Sequence, residues 1–326
     1  MTLAASGALS GALASIPSPP VSYITVGPFQ IHFYALCIIA GIIVATLMTN
    51  YRLTKRGGEP WVVIDIALIA VPLAIIFARV YHVLTHWSFY FGPGKNPLTA
   101  LYIWEGGIAI YGALIGGAIG AWLGCRWTGI RFTSFADALA PGLLVAQALG
   151  RLGNWFNHEL YGLPTTLPWG LQIESTNPAF PPGLPAGTLF HPTFLYEMIW
   201  NLIGAGVLLW AGRRFRLQWG RLFGLYLIWY SAGRIVWESI RIDPSDVYLG
   251  LRTNVWAAIF GVILGLAVML VQKRRHPGFE PSVYMSGRLP KSKLPVDSGD
   301  TDDYVDVSEP PATEVEGTAT SIAATT

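Results

Sequence analysis

The chain has 326 residues, 52% of them hydrophobic and only 12% charged, about half the charged share of a soluble domain. Nine of its 19 acidic residues fall in positions 276–326, so the first 275 are more apolar than the average. This excludes an ordinary soluble fold and indicates an all-α polytopic membrane protein. The formal charge of +2 divides into a basic body and an acidic tail, without the basic, aromatic-interleaved stripe of a nucleic-acid binder.

Residues 1–30 lack a basic n-region and are interrupted by Pro17, Pro19 and Pro20, so they read as an outer-face N-terminal arm rather than a cleaved signal peptide. An apolar helix needs about 20 residues to cross the hydrocarbon core. Seven transmembrane helices are predicted within 31–275, at 31–51, 61–84, 108–125, 135–150, 193–212, 221–240 and 254–272. The fourth is short and carries Pro141, Gly142 and Gly150, which suits surroundings of protein or water rather than lipid. Cys37 and Cys125 fall at different depths and are not expected to pair.

Charge sets the orientation. The ends after spans one, three, five and seven, with the start of span six, hold twelve basic residues: Arg52, Lys55, Arg56, Arg126, Arg131, Arg213, Arg214, Arg216, Arg221, Lys273, Arg274 and Arg275. The opposite ends hold four, namely Lys95, Arg151, Arg241 and Arg252. The positive-inside rule then places the N-terminus outside and the C-terminus in the cytoplasm. The long connections 85–107 and 151–192 lie outside, and loops of that length are commonly functional. Residues 276–326 have the composition of a disordered acidic cytoplasmic tail, and deleting 280–326 is expected to leave activity intact.

The informative residues are polar ones inside apolar helices. A charge at mid-membrane costs roughly 2.5–3.5 kcal/mol on insertion scales. Arg79 lies near the outer end of span two, and Arg234 lies within span six. Tyr230, Arg234, Glu238 and Arg241 fall at helical spacing and form one polar seam. That seam fits either an Arg–Glu pair gluing two spans or a site for an anion.

Gly150-Arg151-Leu152-Gly153-Asn154-Trp155-Phe156-Asn157-His158-Glu159 begins where span four meets the outer face. It suits either a buried anion or an interfacial loop with a Trp anchor. His191-Pro192 through Tyr196-Glu197 opens span five, where Glu197 complements a helix N-terminus. Trp104-Glu105-Gly106-Gly107 sits at the outer mouth of span three. Gly116, Gly117 and Gly120 within that span read as close helix packing. Arginines with amides and tyrosines at head-group depth look like a site for an anionic phospholipid, because the guanidinium binds phosphate bidentately and stays charged when desolvated.

These motifs resemble the prolipoprotein diacylglyceryl transferase family. The resemblance lies in Gly150 to Glu159 continuing Leu160-Tyr161-Gly162, in Ile31-His32-Phe33-Tyr34, in Gly106-Gly107 with Gly112, in His191-Pro192 with Tyr196-Glu197, and in Tyr230 to Arg241 followed by Asp243-Pro244. It covers roughly 20–275, in the family's order. It implies a bacterial plasma-membrane enzyme whose site faces the outer leaflet. The donor would be phosphatidylglycerol and the acceptor the lipobox cysteine of an exported prolipoprotein, with no cofactor or metal. By the same resemblance Arg151 and Arg234 hold the phosphate. Asn154, Asn157, Glu159, His191, Tyr230, Glu238 and Arg241 shape the site, with Tyr34 nearby. Tyr111 stands where some members have a histidine proposed as a base. A tyrosine hydroxyl, with a pKa near 10, is a poor base at neutral pH and a good donor, so the base stays open between His191, water and another group. The alternative reading is an anionic phospholipid transporter or flippase, for which inverted repeats would be expected.

Overall fold

Glycine spacing dictates the closest helix contact. In the computed structural model, which describes residues 15–27, 29–103 and 106–288, helix α1 spans Phe33–Lys55 and α2 Val62–Thr85. A short α3, Trp87–Phe91, precedes α4, Ile110–Thr128. Gly112, Gly116, Gly120 and Gly124 of α4 recur every four residues and face α2, whose backbone they touch. A Cβ at Gly120 would stand 2.6 Å from Ala70 Cα, and one at Gly124 2.9 Å from Ile66 Cα. Gly117 stands at the margin of the same contact, where a Cβ would meet Ala74 Cβ of α2 at an ordinary 3.6 Å. The small-residue reading thus holds for Gly116 and Gly120, where a larger side chain would not fit, is not required at Gly117, and extends to Gly112 and Gly124. Gly120→Leu is expected to cost at least about 1–3 kcal/mol by overpacking, seen as a lower melting temperature in detergent. Gly117→Ala should leave melting unchanged.

Four further helices complete the bundle: α5 Phe132–Phe156, α6 Thr193–Arg214, α7 Arg221–Ile240 and α8 Thr253–Arg275. Helix α5 is the most buried, packing on α1 through Gly41 against Ala146 and Gly142 against Ala45. Helices α6 and α7 interlock by a reciprocal pair: Trp200 Nε1 donates to Trp229 O and Trp229 Nε1 to Trp200 O, each at 3.1 Å. Gly204 and Gly233 make room for the two indoles. Five of these helices, α1, α2, α5, α6 and α8, are long and apolar enough to cross a membrane by length and composition. The glycines and Arg126 of α4, and the charged residues of α7, lower their hydropathy.

Three expectations change. Helix α5 reaches Phe156, six residues past the predicted end, because its polar last turn finds partners in the bundle. The fold is mostly rather than wholly helical. Three small antiparallel pairs, β1 Tyr23–Val26 with β2 Phe29–His32, β3 Leu171–Gln172 with β4 Leu189–Phe190, and β5 Val247–Tyr248 with β6 Leu251–Arg252, satisfy backbone groups in the connections.

Residues 276–288, placed by composition in the tail, pack against the bundle end opposite the arginine-rich seam. Val283 and Tyr284 are buried. Arg131 N donates to Val283 O at 2.8 Å, Arg131 Nε to Tyr284 O at 2.7 Å, and Met285 N to Gly129 O at 2.8 Å. Glu280 is held by Arg56 and Ser134. Two buried apolar residues and one paired carboxylate suffice for this docking, too few for composition to reveal. Residues 289–326 lie outside the described residues. A chain ending at Arg288 is accordingly expected to melt like the full chain, whereas one ending at Arg275 should melt lower. Thermal scans of the two truncations in detergent check this, and deletion from 280 is no longer expected to be silent.

Candidate functional site

The site grows from one buried acid. Glu238 lies near the end of α7 with a side chain 0% exposed, and a buried carboxylate persists only when paired and hydrogen-bonded. Its Oε2 is 2.6 Å from Arg234 Nη2 and 3.3 Å from Arg241 Nη1. Its Oε1 accepts from Asn254 Nδ2 at 2.9 Å. Arg252 Nε lies 3.2 Å from the same oxygen, close enough for charge attraction though not aligned as a hydrogen bond. The i,i+4 pairing of Arg234 with Glu238 is present as the spacing requires.

Arg241 and Arg252 are used up in bracing. Arg241 also forks onto Asp243, at 2.6 and 2.8 Å. Arg252 donates to the carbonyls of Glu238, Arg241 and Asp243 at 3.2, 2.8 and 2.6 Å and to the Asp243 carboxylate at 3.1 Å. These two guanidiniums lock the turn after α7 onto the start of α8.

Arg151 and Arg234 are joined across three helices by Glu197 at the start of α6. Its Oε2 is 2.9 Å from Arg151 Nε and 3.4 Å from Arg234 Nη1. Arg151 Nη1 donates to Asn154 Oδ1 at 3.3 Å, and Asn154 Nδ2 to Glu159 Oε1 at 2.9 Å. Asn157 Nδ2 reaches the same Glu159 oxygen at 3.1 Å. The chain leaves α5 through His158 and Leu160, both in left-handed backbone (φ 51° and 58°), which turns Glu159 back onto the two amides. Among the described residues Arg151 Nη2 and Arg234 Nε make no hydrogen bond and are not sealed from solvent. Two neighbouring guanidiniums therefore each keep a donor nitrogen for an anion.

The remaining predicted residues divide. Tyr34 packs its ring on the α5 backbone, 2.7 Å from where a Cβ of Gly153 would stand, beside Asn154. Tyr230, one turn before Arg234, stacks on Tyr226 with centroids 6.0 Å apart. The Tyr111 hydroxyl donates to Asn254 Oδ1 at 3.2 Å and so joins the network. His191 belongs to a different group, with Nδ1 3.2 Å from the Tyr196 hydroxyl, which in turn accepts from Trp169 Nε1 at 3.1 Å.

Arg79 also stands apart. It donates to the carbonyls of Thr99, Ala100, Gly106 and Gly107 at 2.6–3.2 Å, holding the connection before α4 rather than offering a free charge. Gly107, at φ 71°, must be glycine here because a Cβ would meet Arg79 Nη1 at 2.5 Å. Trp104 and Glu105 of the same motif lie outside the described residues.

Comparison with known proteins places the helical body in one family. The family model for prolipoprotein diacylglyceryl transferase matches residues 21–271. A phosphatidylglycerol–prolipoprotein diacylglyceryl transferase of Leifsonia xyli subsp. xyli is 57% identical over 306 residues, covering 90% of this chain and 92% of its own. The second such enzyme of Streptomyces coelicolor is 47% identical, covering 84% and 86%. The chain belongs to the prolipoprotein diacylglyceryl transferase family.

Three residues of this diacylglyceryl transferase family member carry the network though none is among the predicted site residues. Glu197 was read as a helix-end complement, yet it bridges Arg151 and Arg234. Arg252, a loop charge by sequence, braces the turn after α7, and Asn254 links Glu238 to Tyr111. For Glu197 a signal existed, since an acid opening a span at the arginine-bearing end has few other ways to be paired. For Asn254 sequence offers no such cue.

Proposed function

We propose that this chain transfers the diacylglyceryl group of phosphatidylglycerol to the lipobox cysteine of exported prolipoproteins. The reading includes seven spans, an outside N-terminus and a cytoplasmic C-terminus, in the bacterial plasma membrane with the site toward the outer leaflet. The observation that carries the chemistry is the pair of guanidiniums, Arg151 and Arg234, sharing Glu197 and each keeping an uncommitted nitrogen. The extent of identity with relatives named for this transfer supports the substrates.

The reaction is a displacement at carbon. The substrate sulfur bonds to the glyceryl carbon as the carbon–oxygen bond to phosphate breaks. The electron pair leaves on the phosphate oxygen, glycerol phosphate departs, and the thiol proton passes to water, directly or through a neighbouring group. Charge therefore grows on the phosphate, where fixed cationic donors stabilise the transition state more than the ground state. Neighbouring arginines also lower a thiol pKa from about 8.5, so one positive field assists both nucleophile and leaving group. Cys37 and Cys125 need not be catalytic, because the nucleophile belongs to the substrate. Glu238, Arg241, Arg252 and Asp243 hold Arg234 in place. Purified protein given phosphatidylglycerol and a lipobox peptide should yield a thioether-linked diacylglyceryl peptide by mass spectrometry. Lipid movement without that product would refute the reading.

A further inference from the structure

Asn254 appears in none of the sequence motifs, yet it ties two of them together. Its Nδ2 donates to Glu238 Oε1 at 2.9 Å, and its Oδ1 accepts from the Tyr111 hydroxyl at 3.2 Å. Elementary chemistry fixes both directions. Glu238 is ion-paired with Arg234 and Arg241 and accepts only, so the amide nitrogen must face it. The amide oxygen is left toward Tyr111, and an amide oxygen cannot donate, so the tyrosine hydrogen points at Asn254. What the Tyr111 oxygen has left is its lone pairs. Tyr111 is half-buried in the first turn of α4, at the end of the bundle where the network lies, and the same carboxylate that holds Asn254 also holds Arg234.

We propose that Asn254 is a positioning residue that commits the Tyr111 hydroxyl to act as a hydrogen-bond acceptor toward the substrate. This rests on the transferase reading above. Tyr111 thereby orients an S–H or O–H group and takes no proton itself. Two substrate groups have that chemistry, the acceptor thiol and the hydroxyls of the lipid's glycerol head group.

The test uses the full-length enzyme in vesicles of phosphatidylglycerol or of phosphatidylethanol, which keeps the phosphate but lacks head-group hydroxyls, with a lipobox peptide. One oriented neutral hydrogen bond corresponds to about a five- to tenfold change in rate. Tyr111→Phe and Asn254→Ala should each lower turnover by that factor, and the double variant should be no slower than the slower single, the signature of two residues acting as one. If the head group is the donor, the wild type prefers phosphatidylglycerol over phosphatidylethanol and Tyr111→Phe erases that preference. If the thiol is the donor, the preference stays and turnover falls with both lipids.

Wild-type turnover in Tyr111→Phe, or losses that multiply in the double variant, would overturn the proposal. If Asn254→Ala does not accumulate, Tyr111→Phe, which removes one oxygen, decides alone by the same criterion. Absence of thioether product from the wild type would instead sink the transferase reading, and this proposal with it.

Discussion

Replacing Arg234 by alanine is expected to reduce turnover at least about hundredfold, the usual cost of removing one fixed donor from a site where anionic charge develops. Protein level and melting temperature should change far less, because Glu238 keeps Arg241, Arg252 and Asn254 as partners and Glu197 keeps Arg151. Arg234 sits where α7 meets α6, and its guanidinium both contacts Glu197 and Glu238 and keeps Nε open. Arg151→Ala should behave alike, since Arg151 approaches the same Glu197 oxygen from α5. Arg234→Lys should not rescue, because an ammonium cannot fork between two carboxylates and a phosphate. The check is single-turnover transfer to a lipobox peptide, normalised to folded protein. Full activity in either alanine variant would remove the phosphate-holding role.

A different failure is expected at Glu238. Changing it to alanine leaves Arg234, Arg241 and Arg252 around a site 0% exposed to solvent. Removing one partner of a buried ion pair costs about 3–5 kcal/mol, because the opposite charge stays behind uncompensated. Glu238→Ala should therefore lose folded protein as well as activity. Glu238→Gln keeps the shape but not the charge and should fall between the two. Glu197→Gln makes the informative contrast. Glu197 has two arginine neighbours that reach other acceptors, so its loss should weaken transfer more than stability. Melting curves and turnover measured on the same preparations separate these cases. Glu238→Ala melting like the wild type would contradict the structural role.

What the sequence disclosed follows from the range of the interactions. Arg234 and Glu238 are four residues apart on one helix, so local periodicity alone predicts their pairing. The α2–α4 contact is legible in the same way, as glycines at a four-residue repeat, although only those against the α2 backbone must be glycine and Gly117, with room for a Cβ beside Ala74, need not be. Glu197 pairs with residues 46 and 37 positions away, by subtraction from Arg151 and Arg234, and no spacing rule spans such gaps. The sequence pattern ends α5 six residues early because Arg151 and Asn154 look like surface residues. They continue the helix because Glu197 and Glu159 satisfy them inside the bundle. Arg79 shows the opposite case: it too is a charge within an apolar span, and four backbone carbonyls account for it without any ligand. The docking of 276–288 is not legible in composition, which averages over a stretch in which Val283 and Tyr284 do the packing.

The most direct test of guanidiniums acting on the leaving phosphate pairs a charge change in the protein with one in the lipid. Transfer is measured from phosphatidylglycerol and from its phosphate methyl ester, which is uncharged at phosphorus, using wild type, Arg151→Ala and Arg234→Ala. The wild type should prefer the charged donor by about a hundredfold or more, the scale of one charge-stabilising contact, and that preference should collapse in both variants. A preference that survives intact in Arg151→Ala and Arg234→Ala would show that these side chains do not act on the phosphate.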